Sequence, residues 1–103
     1  MNIVGITACS TGIAHTYIAK EKLINAGQKL GHNVKIETQG TIGTEDGLTS
    51  EDIQKADVVI IAADIEVTGK ERFKGKKVVE VPIQTVVKSP EALIKKVQEK
   101  LGL

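Results

Sequence analysis

The fold of this chain is decided near its start, by the apolar run Ile3-Val4-Gly5-Ile6-Thr7-Ala8 and the turn Cys9-Ser10-Thr11-Gly12 that follows it. The run is rich in β-branched residues and does not alternate, which predicts a strand that is buried on both faces. From Ile13 to Gly31 apolar residues recur at helical spacing, which predicts an amphipathic helix. A buried strand that turns directly into a helix is typical of an open parallel α/β sheet.

Three further segments have the composition of strands. Residues 34–38 alternate apolar and polar side chains and predict an edge strand, whereas residues 58–63 are continuously apolar and predict a second central strand. Residues 77–81 predict a last edge strand, which Pro82 ends.

Two more helices are predicted from their caps. Thr49-Ser50-Glu51-Asp52 has the pattern of a capping box and opens a short helix that ends near Ala56. Ser89-Pro90 begins the final helix, which Gly102 ends. We interpret residues 39–48, which contain three glycines and show no periodicity, as a loop.

The alternation of strands and helices also predicts the topology. Right-handed crossovers favour the order 2-1-3-4 for the four predicted strands. We therefore expect one domain over residues 1–103, of the α/β class, with a single open four-stranded parallel sheet and helices on both faces. Such sheets bind ligands beyond the carboxyl ends of the strands, where the direction of winding reverses, and Cys9 immediately follows the strand at that point.

The composition excludes several functional classes. A formal charge of +1 and an aromatic content of 2% argue against nucleic-acid binding, whether by charge or by stacking. One cysteine with His15 and His32 cannot build a Cys/His zinc site, and we expect no metal and no cofactor. We find neither a membrane span nor a signal peptide, and we expect a cytoplasmic chain in which a lone thiol stays reduced.

The turn after the first strand has the composition of an anion site. The first N–H groups of a helix have no partner within it, and the helix dipole adds partial positive charge there. Cys9 lies at the mouth of the turn, where this field favours the thiolate form, and Gly12 lets the backbone approach a ligand closely. Ser10, Thr11 and Thr16 can donate hydroxyl hydrogen bonds to a phosphoryl group on the sulfur. The alternative is that Cys9 is a small buried apolar residue and that Ser10 and Thr11 only cap the helix.

The spacing around Cys9 separates phosphoryl transfer from hydrolysis. Thiol-dependent phosphatases and arsenate reductases of related architecture follow their cysteine, after five residues, with an arginine that clamps the oxyanion. Here that position is His15, which either tunes the sulfur or contacts solvent, and the chain's single arginine is the distant Arg72. Asp64, after the third strand, is a candidate acid/base group, although we favour its interpretation as a strand-end cap. We expect the loop to hold a phosphoryl group and not to hydrolyse it.

The segment Cys9-Ser10-Thr11-Gly12-Ile13-Ala14-His15-Thr16 closely resembles the phosphorylation loop of the fructose-type IIB component of the bacterial phosphoenolpyruvate-dependent sugar phosphotransferase system. The resemblance covers essentially the whole chain. Its other motifs are Glu37-Thr38-Gln39-Gly40, several short segments between Leu48 and Asp64, and Arg72-Phe73 with Gly75-Lys76. One difference is Ser10, because the family commonly has proline after the cysteine.

The resemblance implies an enzyme, a protein-phosphocysteine–sugar phosphotransferase. A phosphohistidine on a IIA partner would phosphorylate Cys9, and the phosphocysteine would pass the group to a sugar, fructose by the family's name, held by the membrane IIC partner. The chain would act in the cytoplasm and associate with the inner face of the cell membrane through IIC. The phosphate-binding loop would consist of Ser10, Thr11, Gly12, Ile13, Ala14, His15 and Thr16, with Gln39 and Gly40 as its neighbours.

Two other functions stay open. One is a low-molecular-weight phosphatase or an arsenate-reductase-like thiol enzyme, and the other is a non-catalytic regulatory module of the same fold.

The chain also contains a basic run. We interpret this run as solvated surface, and the alternative is that it docks to an acidic partner. The run consists of Lys70, Arg72, Lys74, Lys76 and Lys77.

Overall fold

The computed structural model describes residues 2–9, 13–40, 43–45 and 47–102. Within these residues the strands are β1 (Asn2–Ala8), β2 (Asn33–Gly40), β3 (Gly43–Glu45), β4 (Val58–Ala63) and β5 (Val78–Val81). The helices are α1 (Ile13–Lys29), α2 (Ser50–Lys55), α3 (Ile83–Lys88) and α4 (Pro90–Leu101), and a 3₁₀ helix spans Lys70–Phe73.

The strands form one open sheet in the order β3-β2-β1-β4-β5. β1 pairs in parallel with both β2 and β4, and β4 pairs in parallel with β5. The four predicted strands therefore lie in the predicted order 2-1-3-4, with β4 and β5 as the third and fourth. The predicted α/β fold is confirmed.

Two elements differ from the sequence-based interpretation. The predicted loop at 39–48 contains the end of β2 and the short strand β3, which turns back antiparallel with Gly40 opposite Gly43. Three residues are too few to show a strand periodicity, so the pattern could not indicate β3. Helix α3 is also absent from the predicted elements, because six residues are too few for a helical pattern and Pro82 in the sequence indicates only the end of β5.

Apolar side chains from alternate strand positions build a core on each face of the sheet. On one face Ile3, Val58 and Ile60 lie in the buried cluster that includes residues of α1, α3 and α4. On the other face Val4, Val59 and Ile61 share a cluster with residues of α2 and the 3₁₀ helix. Since successive side chains of a strand point to opposite faces, burial on both sides explains why β1 and β4 are apolar without alternation.

The predicted capping box at α2 is present. The Asp52 N–H donates to Thr49 Oγ1 at 3.1 Å, and the Thr49 N–H donates to Asp52 Oδ2 at 2.9 Å. Lys35 of β2 adds a hydrogen bond to the same carboxylate oxygen, at 2.6 Å. The bond from Lys35, followed by those from Thr49, lowers the pKa of Asp52 to about 2.

No helix among the described ranges is both long and apolar enough to cross a membrane.

Replacing Gly5 by alanine should destabilise the fold, because the sheet leaves no room for a Cβ there. The added atom would press against the backbone carbonyl oxygen of Ile60 and lie 3.0 Å from Ile36 Cδ1. Backbone cannot move aside as a flexible side chain can, so we expect a loss of about 1–3 kcal/mol or more in the free energy of unfolding, measured by chemical denaturation.

Gly47→Ala is the matched control, since its Cβ would meet Glu37 Oε1 at an ordinary 3.7 Å. We expect this substitution to change the free energy by less than about 1 kcal/mol. Equal effects of the two substitutions would contradict the packing argument.

The pKa of Asp52 should be about 2 when the carboxyl is titrated by NMR, and it should rise toward its ordinary value in Lys35→Met. It should stay somewhat below that value because the Thr49 N–H still donates to the carboxylate. Lys55→Met is the control, because Lys55 pairs with Glu51 and not with Asp52. A pKa of Asp52 that does not respond to Lys35→Met would show that the Lys35 contact is not its cause.

Candidate functional site

The candidate site lies at the carboxyl edge of the sheet, where β1 is flanked by β2 and β4. Ala8 at the end of β1 is level with Gln39 of β2 and with Ala63 of β4. Cys9 directly follows β1, and Asp64 directly follows β4. The connection after β1 leads to β2 on one side, and the connection after β4 leads to β5 on the other side. The edge between β1 and β4 is therefore the switch point at which open α/β sheets bind ligands.

Cys9 is buried, with 2% of its surface exposed, and as the single cysteine of the chain it forms no internal disulfide. Its Sγ lies 3.8 Å from Asp64 Oδ2, in a geometry in which the thiol donates. The Asp64 N–H donates to the carbonyl of Ala8 at 3.1 Å, and Asp64 Oδ1 accepts from the N–H of Ile83, the first residue of α3, at 3.3 Å. Asp64 therefore joins the ends of β1 and β4 to the start of α3.

The start of α1 is tied to β1 by a buried hydrogen bond. Thr7 Oγ1 donates to the carbonyl of Thr16 at 3.1 Å, and both threonines are buried. This bond holds the first turns of α1 close to the strand that carries Cys9. Thr16 thus lies near the carboxyl edge of the sheet, and its membership of the phosphate-binding loop stays a prediction.

The other predicted loop residues are described only in part. The predicted Ser10, Thr11 and Gly12 lie outside the described residues. The backbone of Ile13, Ala14 and His15 forms the first turn of α1, so these residues lie at the helix end that follows Cys9. Their side chains lie outside the described part of the structure, and their roles stay predictions.

A buried ion pair anchors the end of β2 beside the site. Arg72 Nη1 and Nη2 donate to the two carboxylate oxygens of Glu37, at 2.9 and 3.0 Å. The Leu48 N–H donates to Glu37 Oε1 at 3.0 Å. Arg72 Nε donates to the carbonyl of Gly69 at 2.8 Å, and the guanidinium lies 5.2 Å from the Phe73 ring centroid. The pair thereby connects β2 with the segment before α2 and with the 3₁₀ helix.

Gln39, a predicted neighbour of the loop, belongs to the same network. Its Nε2 donates to Glu37 Oε2 at 2.7 Å and to the carbonyl of Thr68 at 2.9 Å, while its Oε1 accepts from the Thr68 N–H at 2.9 Å. Gly40, the other predicted neighbour, follows it at the end of β2. The described contacts of Gln39 hold the segment after β4 against β2.

The network changes the titration of Glu37. Burial alone would raise the pKa of Glu37, but hydrogen bonds from Arg72, Gln39 and Leu48, with the Arg72 charge, together bring this pKa below its ordinary value. The same pair raises the pKa of Arg72. Because the carboxyl pKa is lower in the folded state, the pair's stabilisation is complete above the unfolded value of about 4.3 and is lost as pH falls through the folded value.

The interpretation of the basic run as solvated surface is therefore wrong for two of its members. Arg72 is held by Glu37, and Lys76 Nζ donates to the carbonyls of Gln54 and Ala56, both at 3.0 Å.

The alternation of residues 34–38 predicted an edge strand with Glu37 on its polar face, and it gave no signal that loops would cover this position. Asp64 did have a signal, namely its place directly after a central strand.

The chain is similar to proteins of one sugar-transport family. Residues 4–96 match the family described as "PTS system, Lactose/Cellobiose specific IIB subunit". "PTS system fructose-like EIIB component 2" of Escherichia coli (strain K12) is 46% identical over 100 residues, which cover 97% of this chain and 94% of that protein. "PTS system fructose-specific EIIABC component" of Bacillus subtilis (strain 168) is 44% identical over 91% of this chain, which spans 15% of that protein.

A solved structure extends the similarity to the fold. The solution structure of the Enzyme IIB subunit of the PTS system from Escherichia coli K12 superposes with a TM-score of 0.92 at 34% sequence identity. The superposition covers 98% of this chain and 94% of the other.

Removing Arg72 should leave a buried carboxylate without its main partner. Because breaking a buried ion pair costs about 3–5 kcal/mol and Arg72 keeps 30% of its side chain exposed, we expect Arg72→Met to lower the free energy of unfolding by about 2–4 kcal/mol. The measurement is chemical denaturation at neutral pH.

Two controls separate the buried charge from the loss of a basic residue. Adding Glu37→Gln to Arg72→Met should recover part of the loss, since no unpaired charge stays buried. Lys74→Met, at an exposed position of the same basic run, should change the free energy by no more than about 0.5 kcal/mol. A double variant that is less stable than Arg72→Met would overturn this account.

Proposed function

This chain belongs to the family of IIB subunits of the sugar phosphotransferase system, of the fructose type, and on that premise we propose that Cys9 is its phosphorylated nucleophile. The observation that carries the proposal is the position of the Cys9 thiol, directly after β1 at the switch point of the sheet. A ligand in that crevice would meet the sulfur at the end of β1 and the N-terminal end of α1 behind it.

The proposed reaction consists of two in-line displacements at phosphorus. In the first, the sulfur of Cys9 forms the S–P bond as the P–N bond of a phosphohistidine on a IIA partner breaks. In the second, a sugar hydroxyl attacks the same phosphorus, and the S–P bond breaks with its electron pair returning to sulfur. Residues 10–16 would bind the phosphoryl oxygens, so the rate would depend on positioning and on hydrogen-bond donors.

Partners follow from the same premise. The Bacillus subtilis relative is named an EIIABC component, and this chain, which matches a IIB family, spans 15% of that protein. This supports a IIA phosphohistidine as donor and a membrane IIC protein as the holder of the sugar. The chain would then act in the cytoplasm, at the inner face of the cell membrane.

The sugar itself is proposed to be fructose. The Escherichia coli relative is named fructose-like and the Bacillus subtilis relative fructose-specific, whereas the family description names lactose and cellobiose. Phosphotransfer to fructose, lactose and cellobiose with the cognate IIC protein would identify the substrate.

The position of Arg72 favours relay over hydrolysis. A thiol phosphatase clamps the phosphoryl oxygens with an arginine. The chain's single arginine here donates through all three guanidinium nitrogens, to Glu37 and to the Gly69 carbonyl. Appreciable turnover of an aryl phosphate by the isolated chain would instead support the phosphatase alternative.

Incubation with the phosphohistidine form of a fructose-type IIA protein should add the mass of one phosphoryl group to the chain. Cys9→Ala should abolish the gain, because no other residue is proposed to accept the group. Intact-mass spectrometry measures both results.

His32→Gln is the control for phosphorylation on a histidine. His32 precedes β2 at the opposite end of the sheet, where its Nε2 lies 3.1 Å from Gln98 Oε1. We expect this variant to gain the phosphoryl group as the wild type does. A gain that persists in Cys9→Ala would overturn the proposed function.

A further inference from the structure

A carboxylate lies against the sulfur that is proposed to carry the phosphoryl group. Asp64 Oδ2 is 3.8 Å from Cys9 Sγ, and the thiol donates to it. The rest of Asp64 is held in place, since its N–H binds the Ala8 carbonyl and its Oδ1 accepts from the Ile83 N–H. The hydrogen bonds to β1 and α3 therefore fix the position of the carboxylate beside the sulfur.

This contact raises an electrostatic problem for phosphoryl transfer. A thiolate, a carboxylate and a phosphoryl group are all negative, and bringing them within about 4 Å of one another is unfavourable. A carboxylate that takes up the thiol proton becomes neutral at the moment when the phosphoryl group arrives. Its charge then no longer opposes the phosphoryl oxygens, and its O–H can donate to one of them.

We propose that Asp64 accepts the proton of the Cys9 thiol during phosphorylation and returns it when the phosphoryl group leaves. In this step, which rests on the proposed function, the S–H bond breaks and its proton goes to Asp64 Oδ2. The electron pair of that bond forms the S–P bond, and the pair of the P–N bond goes to the histidine nitrogen, which takes a proton from water. When the sugar accepts the group, the sulfur recovers its electron pair and the proton from Asp64, and the sugar hydroxyl gives its proton to water.

Exposure of the side chain fits this role. Asp64 is exposed whereas Cys9 is buried. A carboxylate at this boundary can exchange its proton with solvent between turnovers. A purely structural role, in which Asp64 only anchors the start of α3, would need the Ile83 contact but not the contact with the sulfur.

Asp64→Asn separates these roles because an asparagine Oδ1 can still accept from Ile83 but cannot take up a proton. We expect the single-turnover rate of Cys9 phosphorylation by the phosphohistidine form of IIA to fall about 100-fold or more. Alkylation of Cys9 by neutral iodoacetamide at pH 7 should instead become faster, because the attacking anionic sulfur no longer has a negative carboxylate 3.8 Å away.

The opposite responses of the two reactions are the test. No change in either rate would show that Asp64 is only an anchor, and an increase in both would show that its charge is merely repulsive. A decrease in both would indicate altered access to the thiol. Each of these three results would overturn the proposal.

Glu66→Gln is the matched control, since Glu66 is an exposed carboxylate two residues further along the same segment. Both rates should stay at the wild-type value in this variant.

Failure of the proposed function and failure of the role of Asp64 are distinguishable. If the wild-type chain takes up no phosphoryl group at Cys9, the proposed function fails before Asp64 is tested.

Discussion

Parallel pairing on both sides of β1 is the constraint on which the rest of this structure depends. β1 lies between β2 and β4, so its backbone hydrogen bonds are made within the sheet and its two faces are covered by separate cores. Strands that run in the same direction need crossovers, and these place helices on both faces. The position of Cys9 at the switch point is a consequence, because the connection after β1 leads to β2 on one side and the connection after β4 leads to β5 on the other.

The second constraint is the requirement that a buried charge be paired. Glu37 is on β2, 2% of its side chain is exposed, and it would be costly there without partners. Arg72, Gln39 and the Leu48 N–H satisfy its oxygens, and they come from three separate segments. The pair therefore joins the segment before α2 and the 3₁₀ helix to β2, close to the edge of the sheet that carries the site.

The chemistry follows from how charge is distributed at this edge. The guanidinium that a hydrolase would direct at the phosphoryl group is occupied by Glu37, whereas a carboxylate lies against the sulfur. With its single arginine held by Glu37, the chain does not offer the oxyanion clamp of a thiol phosphatase, which supports the proposed transfer between nucleophiles. This agrees with the family to which the chain belongs.

Local pattern by itself determined the four parallel strands, the capping box at Thr49 and the place of Cys9 after the first strand, because each depends on hydrophobic periodicity or on residues adjacent in sequence. The strand order followed from these elements together with the right-handedness of crossovers. Three features were decided only by the tertiary structure. β3 is too short to have a periodicity, the burial of Glu37 needs Arg72 from 35 residues away, and the contact of Cys9 with Asp64 joins residues 55 positions apart. Such pairings depend on which segments the folded chain brings together, and no local pattern encodes that.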